Sequence, residues 1–134
     1  MSSAHADCKF TDNSTETVRA IVKKNGGWPL SDANCAILMA NNLALDVAGQ
    51  ASVLEGVSVG WASVKLVDKT LNIVSDAIHM STTVKTNAAS QPIADSMMYQ
   101  SIESVLEEFD FSKAAKQVNA YRAKARVAAK SGKN

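Results

Sequence analysis

The sequence predicts an all-α fold, a compact bundle of about five helices built around one long central helix. Two observations carry that expectation. From Gly49 to Ile78, apolar or small residues recur every seven positions, as Val53, Gly60, Val67 and Val74 and again as Val57, Val64, Leu71 and Ile78. That pattern draws one stripe along a helix of about eight turns. On either side of it, capping residues bracket shorter amphipathic stretches. Size and composition set the frame: 134 residues, 46% hydrophobic and 20% charged with two prolines, make one folded domain and exclude a disordered chain.

The elements follow in order. Asn13-Ser14-Thr15-Glu16 offers an N-cap oxygen with a carboxylate three residues on, Val18, Ile21 and Val22 share a face, and Asn25-Gly26-Gly27 ends a helix over about residues 14–24. Trp28-Pro29-Leu30-Ser31 turns the chain, and a second helix starting at Pro29 or Ser31 carries Cys35, Leu38, Met39, Asn42 and Leu45 at helical spacing. The long helix comes next, with Gly49, Gly56 and Gly60 on or beside its stripe, where a missing side chain lets a neighbour approach. Its Val and Ile content would by propensity favour strands, but a period of seven contradicts strict alternation, and the period decides. After Met80 the polar run Ser81–Gln91 loses the stripe and reads as the longest connection in the chain. A helix resumes at Pro92 or Ile93 and turns Met97, Met98, Ser101, Ile102, Val105, Leu106 and Phe109 inward. A last helix from Phe111 presents Ala114, Val118, Tyr121 and Ala125 on one side. The single domain spans residues 7–130, and 131–134 read as a frayed tail.

Composition narrows the function classes. Fourteen Lys and Arg against thirteen Asp and Glu leave a net charge of +1, and aromatics are 5% of the chain, so neither a nucleic-acid groove nor a stacking platform is expected. No run of about 18 apolar residues is present to insert in a membrane. Ala4-His5-Ala6 has the small-x-small form of a signal-peptidase site, so residues 1–6 read as a leader remnant or an added start, and the chain as exported. Cys8 and Cys35 are the only cysteines. In an oxidising compartment they invite one disulfide, and in the cytosol two free thiols are as ordinary.

The search for chemistry returns little. His5 and His79 stand apart without a second ligand at metal-binding spacing, so no metal site and no cofactor are expected, and His79 is placed at the C-terminal end of the long helix. Glu103, Glu107 and Glu108 share a helix face that Val105 and Leu106 turn toward water. Seven basic residues and no acid follow from Lys113, spread around the helix like an ordinary solvated surface. Gly26-Gly27 lacks the Lys-Ser or Lys-Thr of a phosphate loop. A catalytic reading survives only if Arg19, Arg122 and Arg126 converge on one pocket to hold an anionic substrate, as in a small mutase-like enzyme. A structural component of an envelope machine is a further reading.

Trp28-Pro29-Leu30-Ser31 shortly before Cys35, with Cys8 after Ala4-His5-Ala6 and a helical body of this size, resembles the small periplasmic immunity proteins of type VI secretion systems that neutralise peptidoglycan amidases. The resemblance implies a helical, non-enzymatic protein, often a homodimer, that binds a cognate amidase effector of Cys-His peptidase type in the periplasm. It blocks the toxin's cleft with a protruding loop. On this chain the loop falls at Ser81, Thr82, Thr83, Asn87, Ser90 and Gln91, short polar residues able to enter a narrow cleft.

Overall fold

The computed structural model describes residues 8–131, so the leader remnant and residues 132–134 of the tail lie outside the described part. Its elements are β1 (Thr11–Asp12), α1 (Glu16–Lys24), α2 (Asp32–Asn41), β2 (Ala44–Leu54), β3 (Val57–Asp68), β4 (Ile73–Val74), β5 (His79–Thr86), α3 (Gln91–Glu108) and α4 (Phe111–Ser131). The expected all-α bundle is therefore corrected to an α/β fold of four helices on a five-stranded mixed sheet. β1 runs parallel to β2, and β2 pairs antiparallel with β3. The far edge of β3 is shared end to end by β4 and β5, both antiparallel to it.

The long central helix is the β2–β3 hairpin followed by β4. Glu55 and Gly56 form its two-residue turn, with Gly56 at φ +72°, a conformation a side chain disfavours. The seven-residue spacing is a coincidence of composition, because residues seven apart in a strand face opposite sides. Alternation is present but masked. On β3 the helix-facing residues are Ser58, Gly60, Ala62, Val64 and Leu66, and the opposite face carries Val57, Val59, Trp61, Ser63, Lys65 and Val67. Near the turn the buried side is thus the less apolar one.

The reason lies in α3. A Cβ at Gly60 would sit 2.0 Å from the backbone nitrogen of Met98, so the helix axis comes down onto the strand where a side chain would otherwise stand. Ser101 Oγ donates to the Gly60 carbonyl at 3.0 Å and lies 2.8 Å from Thr83 Oγ1, which satisfies the hydroxyls inside that contact. Large side chains occupy the other half of the core, where Leu45, Val47, Val64 and Leu66 meet Val18, Leu38, Met98, Ile102, Phe111 and Val118. All four helices contribute to this one core. The opposite face of the sheet carries none of them.

The short helices match the sequence closely. α1 starts one turn into the Asn13–Glu16 signal, with Thr15 at the N-cap making no side-chain bond, while Ser14 Oγ turns away to accept the Val47 N–H at 2.9 Å. α2 is capped by Ser31, whose Oγ accepts from Asn34 N–H at 3.1 Å. It stops at Asn41, short of Leu45, because Asn42 takes a left-handed conformation at φ 53°. α3 begins at Gln91 with Ser90 as its N-cap, and α4 begins at Phe111 as expected.

Candidate functional site

The residues expected to form a protruding loop are distributed over three structures. Ser81, Thr82 and Thr83 belong to strand β5, which corrects the loop reading of that stretch: Thr82, Thr83, Val84 and Thr86 are β-branched and suit an exposed edge strand. Asn87 is the turn residue after β5, at φ 59°. Ser90 caps α3, accepting from Ile93 N–H at 3.3 Å, and its own N–H goes to Ser58 Oγ at 3.1 Å. Gln91 opens α3 and is held by Asp95 at 2.9 Å, with a longer contact to the Ala51 carbonyl at 3.4 Å. Ser81 and Thr83 lie on the helix side of the sheet. Of the six, Thr82 alone sits on the helix-free face.

That face is the most distinctive surface of the chain. The register sets Val57 between Leu54 and Thr86, Val59 between Ser52 and Val84, Trp61 between Gln50 and Thr82, and Ser63 between Ala48 and Met80. Cross-strand neighbours stand about 5 Å apart, so these side chains form one continuous patch. Leu54, Met80 and Val84 are 58%, 61% and 53% exposed, and Trp61, Val57 and Val59 are half-buried between them. No charged side chain interrupts these rows until Asp46 pairs across from Lys65 at the far end. Sequence reasoning missed the patch because it read Gly49–Ile78 as one long helix and Ser81–Gln91 as a polar connection, which separates residues that the sheet brings side by side.

A second concavity of about 480 Å³ lies beside the disulfide that joins Cys8 to Cys35, bounded by Phe10, Trp28, Leu30 and Tyr99. Phe10 meets Trp28 edge-on at 6.0 Å, and Tyr99 donates its hydroxyl to the Gly27 carbonyl at 3.0 Å. Burial, and then the charge of Glu103, raise the Tyr99 phenol above its ordinary range. The segment Trp28–Cys35 thus builds the packing that clasps the N-terminal segment to α2 and α3.

The three arginines do not converge. Arg19 pairs with Asp12 at 2.9 Å on α1. Arg122 and Arg126 border a different hollow of about 530 Å³, where Arg122 already serves Asp68 at 2.7 Å, the carbonyls of Asn41 and Asn42, and the Asn119 side chain. His79 opens strand β5, not a helix end, and its Nε2 lies 2.8 Å from Glu108 Oε1. Glu103, Glu107 and Glu108 are exposed. Among the described residues no group of three or more His, Cys, Asp or Glu is placed to hold a metal ion, and no helix is long and apolar enough to cross a membrane.

Neither a protein-family model nor a curated protein matches this chain.

Proposed function

We propose that the chain is a binding protein without chemistry of its own, which inhibits a protein partner by covering it with the helix-free sheet face. The observation that carries this reading is the uncharged patch of Leu54, Val57, Val59, Trp61, Met80 and Val84, contiguous by register and left open by every helix. Exposed apolar surface of that continuity marks interaction sites, and Trp, here Trp61 at the centre of the patch, is among the residues that most often carry binding energy.

The partner we propose is a secreted peptidoglycan amidase of Cys-His type, met in the periplasm, as for the immunity proteins that the segment Trp28–Cys35 resembles. The helical plan of that family is not part of this support. The Cys8–Cys35 bond is, since a structural disulfide fits an oxidising compartment. A sheet face laid over a cleft excludes substrate without needing a catalytic residue of its own, in keeping with the scattered arginines.

The deciding measurement is titration calorimetry against a secreted Cys-His peptidase encoded beside this chain. Trp61→Ala is expected to weaken binding by about thirtyfold or more, as hot-spot truncations do, with the Tm nearly unchanged because the ring is outside the core cluster. Full-strength inhibition by that variant would refute the face as the binding surface. Absence of any inhibition by the parent chain would refute the partner.

A further inference from the structure

The two edges of the sheet are treated differently. On the β2 edge, the Leu45 carbonyl accepts from Asn13 N–H at 2.8 Å, Val47 is bonded by Ser14 Oγ and by Thr15 N–H, and the Ala51 carbonyl meets Gln91. At these three residues the chain itself occupies that edge. On the β5 edge, among the described residues, no strand pairs beyond β5.

Which groups β5 leaves open follows from two bonds at the ends of β3. Ser75 N–H donates to the Leu66 carbonyl at 2.9 Å, and Asn87 N–H donates to the Gly56 carbonyl at 2.9 Å. In an antiparallel ladder the N–H and C=O of one residue point to the same side and the side alternates along the strand. Ser58, Gly60, Ala62 and Val64 therefore bond toward β5, and their partners Lys85, Thr83, Ser81 and His79 bond back. Met80, Thr82, Val84 and Thr86 direct their N–H and C=O groups away from the sheet. Of the usual protections of an edge the strand carries only one lysine, Lys85: its register is continuous and it has no proline.

We infer that β5 pairs antiparallel with β5 of a second copy of this chain, about a two-fold axis at Thr82, to give one continuous ten-stranded sheet. Only residues that both point outward can exchange backbone bonds, and the longest overlap of two such strands leaves registers centred on Thr82 or on Thr83. Charge and apolar matching select the first. It sets Met80 opposite Val84 twice, the two most exposed apolar side chains of the strand. It also sets Lys85 opposite His79, where Glu108 Oε1 already lies 2.8 Å from the imidazole, so each copy's ammonium meets the other's carboxylate. Centring on Thr83 would place Lys85 opposite Ser81 and Met80 opposite Thr86, and both matches would be lost. The axis stands perpendicular to the sheet, so both helix-free faces stay on one side. The pairing neither blocks nor requires the inhibitor reading. One strand pair is a small interface, so dissociation in the micromolar range is expected.

The test is light scattering and sedimentation of the oxidised full chain over a wide concentration range, with a reversible rise from one chain to two expected. Thr82→Pro removes an N–H that the β3–β5 ladder does not use, so the far-ultraviolet dichroism should hold while the dimer is lost. Lys85→Glu should weaken association by about tenfold through like-charge contact with Glu108, and adding Glu108→Lys should restore it. That rescue is specific to the Thr82-centred register and stands even if Thr82→Pro fails to fold. A chain that stays monomeric at every concentration, a dimer that survives Thr82→Pro with its sheet intact, or a charge reversal without rescue would each overturn the inference.

Discussion

Arg122 Nε donates to Asp68 Oδ2 at 2.7 Å, and through that one bond α4 is fastened to the last residue of β3. Both side chains are largely buried, at 14% and 9% exposure, and the rest of the guanidinium is spent on carbonyls that end α2 and on the Asn119 side chain. Removing the arginine alone strands a buried carboxylate. Arg122→Ala should cost about 3 kcal/mol or more in urea unfolding, whereas Arg122→Met combined with Asp68→Leu should recover much of the loss.

The same pair predicts an acid limb of the stability curve. Burial alone would raise the Asp68 carboxyl, but the bond and charge of Arg122, with the N–H groups of Leu71 and Thr70, more than offset it and hold the group below its ordinary value of 3.8. A depressed folded-state value means that the stabilisation is fully present above the unfolded value and disappears as pH falls through the folded one. Wild-type stability should decline below about pH 4. In Asp68→Asn that part of the decline should be absent, which thermal melts across pH 2 to 6 on the two proteins will show.

Gly60→Ala is the most economical test of how α3 sits. The new methyl would lie 2.0 Å from one backbone atom of the helix and 2.4 Å from two others, and backbone cannot rotate out of the way as a side chain can. The expected loss is about 3 kcal/mol, at the upper end of overpacking effects. Ala at Gly26, where nothing lies within 4 Å, is the control, subject only to the smaller penalty of its φ of +93°.

Reduction of Cys8–Cys35 should lower stability by about 3 to 4 kcal/mol, the chain-entropy value for its loop. A non-reducing mass measurement should show the intact bond, and denaturation with and without reductant should show the difference. The paired Cys8→Ser and Cys35→Ser variant should match the reduced protein.

What the sequence made legible was set by local chemistry. Ser31 announces one helix start and Asn25-Gly26-Gly27 one stop, because each depends on neighbours a few residues away, whereas Asn42 and Ser90, which end α2 and cap α3, read from the sequence as a helix interior and a connection. The sheet was hidden for a physical reason. Alternation reveals a strand when one face is polar and the other apolar, whereas β3 sets Ser58, Gly60 and Ala62 against the core and Val57, Val59 and Trp61 outside. Both signals needed to recognise it, the close approach of α3 and the open opposite face, exist only in three dimensions. The candidate site shared that fate. Thr82 stands out for its polarity, while Val84 beside it reads as part of a polar connection and Val57 as part of a helical stripe.

The meander of β2, β3, β4 and β5 joins segments that are neighbours in sequence, with a two-residue turn between its longest strands, so the loops it must close are short. β1 is the exception: it reaches its place beside β2 only after two helices have been threaded between them. The topology favours a fold that grows outward from the hairpin and admits its N-terminal segment last. Oxidation of Cys8 with Cys35 then acts as a latch on a finished body, so a chain emerging into an oxidising space can acquire its sheet before any thiol chemistry is needed.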